Sequence, residues 1–293
     1  MNVLIAGGTG FIGNYLKNRF EASGHIVRLV SRSGMDVSWN LKDLIPELEK
    51  TDVLINLAGK SINSRFTEKN KELILQSRLK TTGILNEAVA ACKNPPVLWI
   101  NASATGIYKH TGQNQTLNES SMDFASDFLG NVVQLWEREF FGTSIPGVRK
   151  TAIRTSVVLG KSGGAYPIFK FLAIIGLGGK QGSGAQMVSW IHIEDYYRII
   201  LFIIEESGIS GVINASAPFP VTNQIFMKTL RKAKRFPVGI PAPEWAIKLG
   251  TGIVGVDSSL ILASSNVNSE ILMKNGFEFR FPTVEKAFLD LTQ

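Results

Sequence analysis

The sequence predicts an α/β protein: a doubly wound, mostly parallel sheet with helices on both faces, followed by a smaller C-terminal α+β lobe. Three observations predict it. Short apolar runs alternate with helical stretches over the first 160 residues, as a parallel sheet with crossover helices requires. The first of those runs leads straight into glycines spaced three apart, Gly7, Gly10 and Gly13. Beyond Gly160 the alternation loosens into glycine-dense loops and a proline-rich end with Pro218, Pro220, Pro237, Pro241, Pro243 and Pro282.

The opening segment, Asn2 to Gly13, reads as strand, tight turn and helix start. Gly7 allows the turn, Gly10 lets the backbone approach a pyrophosphate with no Cβ in the way, and Gly13 lets the new helix pack on the strand. The unpaired N–H groups and positive dipole end of that helix face the anion, which makes a Rossmann-type nucleotide site the expectation. The first helix runs from about Phe11 to Ser23, and Ile26 to Val30 forms the second strand. Its end selects the cofactor. Where NAD-selective sites place a carboxylate for the ribose hydroxyls, this chain has Ser31-Arg32-Ser33, whose guanidinium and hydroxyls suit a 2′-phosphate. NADP (as NADPH) is therefore expected over NAD.

Val37 to Trp39 is expected as a brief third strand, and Leu41 to Glu49 as a short helix broken by Pro46. Asp52 to Gly59 is a strand whose small Ala58 and Gly59 leave room for a flat ligand at the sheet's carboxyl edge. A long helix spans Thr67 to about Lys93 and stops before Pro95-Pro96. Val97 to Asn101 is the next strand, and it delivers Ser103, Thr105 and Tyr108 to the same edge. Lys109 to Ser121 reads as an exposed polar loop, Phe124 to Phe141 as a helix, and Arg149 to Leu159 as one strand. A glycine-dense loop covers Gly176 to Gly184; Met187 to Ile191 is a strand, Ile193 to about Glu206 a helix, and Val212 to Asn214 the last sheet strand.

Composition narrows the classes. With 44% hydrophobic residues in 293, a sizeable core and a soluble globular protein are expected. The single cysteine, Cys92, excludes an internal disulfide and a multi-cysteine metal site, and His25, His110 and His192 are too scattered to build a histidine site. No secretory signal or membrane-length apolar run is read, so the cytoplasm and no membrane partner are expected. The net charge of +7 is spread along the chain. Its one dense run, Lys228 to Arg235, falls at helical spacing as a solvated helix end, so no nucleic-acid partner is expected.

Taken together, the chain resembles the extended short-chain dehydrogenase/reductases, the NAD(P)-dependent epimerase/dehydratase class. The glycine motif Gly7 to Gly13, the late-strand segment Arg154 to Gly160 and the segment Trp190 to Asp195 carry that likeness. More narrowly, it is similar to an atypical epimerase-like subfamily of undefined substrate. That likeness rests on Ser31-Arg32, Asn56 to Gly59, Ser77-Arg78, Trp136-Glu137, Gly182 to Gly184 with Gln186, and the ending Asn275 to Pro282. It implies residues 1–160 as the NADP-binding domain, with 185–215 returning to it, and 161–184 and 216–293 as a substrate lobe. It also implies that Ser31 and Arg32 hold the NADP phosphate and that Leu57 and Ala58 contact the cofactor. Four residues before Thr82, where the class has an asparagine reaching the cofactor region, this chain has Arg78, suited to a phosphate or an acidic substrate. The cofactor-binding candidates are thus Gly7, Thr9, Gly10, Phe11, Ile12, Gly13, Ser31, Arg32, Leu57, Ala58, Gly59, Arg78 and Ser103.

Hydride transfer in this class uses a tyrosine as general acid/base, a lysine one helical turn on, and a serine or threonine on the reacting oxygen. Here the corresponding helix has Phe128 and Val132 in those places. The string Tyr166 to Lys170 lies after the late strand, in the substrate lobe. Ser103 and Thr105 are the candidate hydroxyls, although the class spacing from Tyr108 lands on Ala104, and Tyr108 is a candidate proton donor. His192 with Asp195 is either a dyad or a capped helix start. Two readings follow: an NADP-dependent oxidoreductase or epimerase acting on a small polar molecule such as a nucleotide sugar, or a catalytically silent NADPH-binding sensor. Either is expected as a monomer or a homodimer, pairing through the helices at 67–93 and 124–141.

Overall fold

The computed structural model describes residues 1–32 and 36–293. The opening strand β1 (Asn2–Ala6) turns into helix α1 (Phe11–Ala22), and then follow β2 (Ile26–Val30), α2 (Leu41–Leu48), β3 (Val53–Asn56) and α3 (Glu68–Ala91). Next come β4 (Leu98–Ala104), a short 3-10 turn at Thr105–Ile107, α4 (Phe128–Phe141) and β5 (Arg149–Thr155). After β5 lie β6 (Val157–Gly160), β7 (Gly163–Gly164), α5 (Tyr166–Ile174), β8 (Met187–Val188), β9 (Trp190–His192), α6 (Ile193–Glu205) and β10 (Gly211–Ala215). The chain closes with β11 (Val221–Thr222), α7 (Asn223–Lys234), α8 (Glu244–Val254), α9 (Ser259–Leu262), α10 (Glu270–Lys274) and α11 (Val284–Thr292).

The main sheet is six-stranded and parallel in the order β10-β5-β4-β3-β1-β2. Alternate residues of each strand enter different cores, as the period of two dictates. Val3, Ile5, Ile55, Ile100 and Ile153 pack with Leu16 and Phe20 of α1 and with Tyr196, Ile199 and Ile203 of α6. Leu4, Leu54, Trp99 and Ala152 pack with Leu44 of α2, Leu85 of α3 and Phe140 of α4. A third cluster, including Tyr166, Trp190, Phe226, Leu230 and Phe288, joins α5, β9, α7 and α11. The Rossmann-like fold expected from the alternation is therefore the fold observed. Among the described residues, no helix is long and apolar enough to cross a membrane.

Four local expectations are corrected. Val37 to Trp39 is no strand: a single bridge joins Val37 to Val30. Helix α2 is unbroken at Pro46, because Pro46 and Lys42, whose carbonyl loses its partner, both lie on the exposed face. The run from Arg149 to Leu159 is two strands. At Ser156 the chain changes neighbours: the Ser156 N–H donates to Ala215 O (3.1 Å) and the next N–H, of Val157, to Ser189 O (3.1 Å). That step takes β6 into a separate sheet, β7-β6-β9. Finally, the polar loop after Tyr108 is not all exposed. Leu117 is buried and bridges Val267, and the buried Glu119 carboxylate accepts from Asn214 N (2.9 Å) and Glu270 N (3.0 Å).

Candidate functional site

A cleft of about 660 Å³ runs along the carboxyl edge of the main sheet, from the Gly7–Gly13 turn past Gly59 and Arg78 to Ser103 and α4. This is where open α/β sheets take ligands. At its first end each glycine has a distinct reason. Gly7 has φ +75, and a Cβ there would lie 2.7 Å from Ala58 Cα. A Cβ on Gly13 would lie 2.5 Å from Gly8 Cα, so helix and turn pack backbone to backbone. At Gly10 an added Cβ would meet only Gly7 O, at 3.8 Å, and would project into the cleft. Helix α1 has no side-chain cap and no acid in its first turn, so its N–H groups and dipole are left for an anion. The side chains of Phe11 and Ile12 line the same wall, while Thr9 is exposed beside it and its carbonyl accepts from Asn14 Nδ2 (3.0 Å). The Phe11 ring is held by glycines of β6 and β7: a Cβ on Gly160 or Gly163 would lie 2.4 or 2.3 Å from it.

At the end of β2, Ser31 is buried and Arg32 exposed, and Ser33 lies outside the described residues. The nearby acid Asp36 is turned to the sheet edge, where its carboxylate accepts from Leu29 N (2.8 Å). At the end of β3, Leu57 and Gly59 line the cleft, whereas Ala58 supports the underside of Gly7. The bend there is set by buried Asn56. Its Oδ1 accepts from Ala58 N (3.0 Å) and its Nδ2 donates to Asn101 Oδ1 (2.7 Å) and Thr82 Oγ1 (3.3 Å). Thr82 Oγ1 also accepts from Trp136 Nε1 (2.9 Å), which fixes the indole on the cleft wall. Sequence reasoning did not assign these roles to Asn56, Asn101 and Thr82. The available signal was asparagine inside apolar strand runs, since a buried amide must find partners.

The far end holds Ser103, at the end of β4. Its hydroxyl donates to Glu137 Oε1 of α4 (2.6 Å). Arg154 of β5 grips the same carboxylate with both arms, Nε to Oε1 (2.8 Å) and Nη2 to Oε2 (2.7 Å). Its third arm, Nη1, donates to Tyr108 OH (2.8 Å), which in turn donates to Asn214 Oδ1 (3.0 Å). Burial alone would lower the Arg154 pKa, but hydrogen bonds and charge from Glu137 carry it above its ordinary value. Tyr108 is thus brought into the charge network and not to the cleft: its only proton goes to Asn214, and burial raises its pKa against the pull of Arg154. Thr105 lines the cleft, with its hydroxyl directed at Thr155 O (3.4 Å).

Helix α4 carries neither tyrosine nor lysine, and of Phe128 and Val132 only Val132 lines the cleft. Asp127 caps the helix by accepting from Gly130 N (2.8 Å), and Gly130 tucks against Ala125, where a Cβ would lie 2.6 Å away. Leu129, Val132, Val133 and Trp136 therefore face the cleft, and Phe128 packs on Phe66 instead (5.2 Å between centroids). Among the described lining residues, the ionisable side chains are Arg78 and Tyr196. Burial pushes Tyr196 up to about 12, with the Thr155 hydroxyl opposing.

Two other motifs resolve as structural. His192 caps α6, its Nδ1 accepting from Glu194 N (3.2 Å), while Asp195 accepts from Arg280 N (2.9 Å) and Phe281 N (2.8 Å), so the two form no dyad. The buried Tyr166 hydroxyl donates to Leu291 O (2.9 Å).

Strand order, glycine turn and an uncapped helix start above one long cleft define a Rossmann-like α/β protein. Residues 3–126 match the NAD dependent epimerase/dehydratase family, and residues 242–291 match a domain of unknown function (DUF1731). The chain is 37% identical over 305 residues to Epimerase family protein YfhF of Bacillus subtilis, covering 99% of this chain and 98% of that one. It is 33% identical to Epimerase family protein SDR39U1 of Mus musculus, with 99% of each chain covered. The crystal structure of human epimerase family protein SDR39U1 (isoform2) with NADPH superposes with a TM-score of 0.89 at 31% identity, covering 100% of this chain and 99% of that one. The chain belongs to the epimerase family.

Proposed function

We propose that this protein binds NADPH along the cleft and acts on a small polar substrate as an epimerase-type oxidoreductase whose active site lacks a Tyr-x-x-x-Lys pair. The observation that carries the reading is the continuity of one cleft from the open face of Gly10 to the Ser103 hydroxyl. Its donor set fits the cofactor. The N–H groups at the start of α1 meet the pyrophosphate, Ser31 and Arg32 meet the 2′-phosphate, and Leu57 and Gly59 supply a flat floor. The human relative solved with NADPH supports the same assignment. Residues 1–160 with 185–215 serve as the cofactor domain, and 161–184 with 216–293 as the substrate lobe. The protein is read as cytoplasmic, monomeric or homodimeric.

When bound, the nicotinamide supplies or takes a hydride. Ser103 handles the proton: a substrate hydroxyl passes its proton to Ser103 Oγ while the Ser103 proton moves to Glu137, and the reverse direction returns it. Arg154 keeps the Glu137 carboxylate aimed at Ser103. The apolar pair Leu129 and Val133 on the wall favours a second reading, an NADPH sensor without turnover.

Fluorescence titration with NADPH and NADH, followed by absorbance assays against nucleotide sugars and small carbonyl compounds, tests both. Tight NADPH binding with turnover of at least one substrate is expected. Binding without turnover on any favours the sensor, and no binding of either dinucleotide overturns both.

A further inference from the structure

The guanidinium of Arg78 is held more firmly than a surface arginine and is left with an unused edge. Its Nη1 donates to two backbone carbonyls, Lys60 O (3.1 Å) and Ile74 O (3.0 Å). Its Cζ lies 5.1 Å from the centroid of the Trp136 ring. Gly59 backs against it so closely that a Cβ there would come within 3.2 Å of Cζ. Among the described residues, Nε and Nη2 make no hydrogen bond and no carboxylate pairs with the group. Burial with no acid beside it pushes the guanidinium down to about 10. A role confined to holding the Lys60 carbonyl would need only Nη1. The Nε–Nη2 edge has the fork spacing that takes two oxygens of one carboxylate or phosphate, and it is already oriented, so little ordering cost remains on binding.

The dinucleotide phosphates do not depend on Arg78 for donors, although Gly59, which backs on it, follows the Ala58 that underlies Gly7. The phosphates have their own donors at the start of α1 and at Arg32, beyond β1 and at the outer strand β2. Arg78 stacks on Trp136, the neighbour of Glu137, and Glu137 holds Ser103. Held between Gly59 and Trp136, the edge lines the cleft that also reaches Ser103.

We propose that Arg78 is the recognition site for an acidic substrate: its Nε–Nη2 edge takes the carboxylate or phosphate of the molecule presented to Ser103. The inference rests on the cleft's assignment to NADPH and substrate, and it narrows the substrate class to anions.

The test uses malonate and inorganic phosphate as probes, titrated calorimetrically into the NADPH complex and into nucleotide-free protein, for the wild type, Arg78→Met and Arg78→Lys. Saturable acid binding to the wild-type complex is expected. It should weaken by about tenfold or more in Arg78→Met and less in Arg78→Lys, with NADPH affinity changed by no more than about threefold. A loss of NADPH affinity of about tenfold or more in Arg78→Met assigns the edge to the cofactor pyrophosphate and overturns the proposal. So does failure of the wild-type complex to bind either acid. Should Arg78→Met not fold, a crystal of the wild type with NADPH and malonate decides: malonate oxygens on Nε and Nη2 support the site, and their absence there overturns it. If NADPH does not bind the wild type, the cofactor reading falls alone, because acid binding to the nucleotide-free protein still reports on Arg78.

Discussion

Ser103 and Glu137 meet hydroxyl to carboxylate at 2.6 Å, although they stand 34 positions apart on a strand and a helix. The contact places a carboxylate behind a hydroxyl that lines the cleft. Ser103→Ala should lower turnover about 10²- to 10⁴-fold, the range for a lost general acid/base. NADPH affinity and the unfolding midpoint should stay near wild type. An equal loss of NADPH affinity would show that Ser103 serves binding only.

Glu137→Met leaves the buried Arg154 guanidinium uncompensated and should destabilise by about 3–5 kcal/mol, read from urea unfolding. Glu137→Met with Arg154→Met should recover most of that stability, since both charges leave together. Activity should not return with it. A double variant no more stable than the single one would mean that the pair itself is strongly net stabilising.

The glycine turn separates folding from binding. Gly13→Ala forces a Cβ to 2.5 Å from Gly8 Cα and should cost a few kcal/mol of stability, on the order of other overpacked sites. Gly10→Ala meets only Gly7 O at 3.8 Å, so the melting temperature should hold while NADPH binding falls sharply. Thermal melts with and without NADPH distinguish the two.

Arg32→Glu should weaken NADPH by about tenfold or more and leave NADH nearly unchanged, because only the 2′-phosphate meets the reversed charge. Comparable weakening of both dinucleotides would place Arg32 outside 2′-phosphate recognition.

His192 sets a pH limit on stability. Burial pushes its pKa down from 6.5 to about 4, and Asp290 opposes this only in part. Between those values the unfolded chain binds the proton and the folded one does not. Stability attached to neutral His192 is therefore fully present above pH 6.5 and is lost as pH falls toward 4. A loss on the order of 1–3 kcal/mol across that window is expected from urea unfolding. His192→Asn, which preserves a cap, should flatten the slope.

Much of the fold was readable in order because parallel strands buried on both faces appear as apolar runs, and β2 falls where its run was read. Boundaries were lost where a run outlasts its strand. The residues from Arg149 to Leu159 are uniformly strand-like, and only the switch of neighbours at Ser156 divides them. Of the two α4 positions singled out in the sequence, Val132 lines the cleft and Phe128 does not. The glycine at 130 and the cap at Asp127 decide which side chains face the cleft, and neither effect shows as periodicity.

The site divides along the same line. By itself the sequence determined the glycine turn, the cation after β2, the hydroxyl at the end of β4 and the lack of a tyrosine–lysine pair on α4, because each depends on neighbours a few positions apart. Only tertiary structure decided that Ser103 has Glu137 behind it, that Tyr108 is committed to Arg154 and Asn214, and that Arg78 keeps a free edge over the cleft. Those roles come from groups on different strands and helices meeting at one sheet edge. The direction of a hydrogen bond there depends on the packing of the whole fold, to which no local spacing refers.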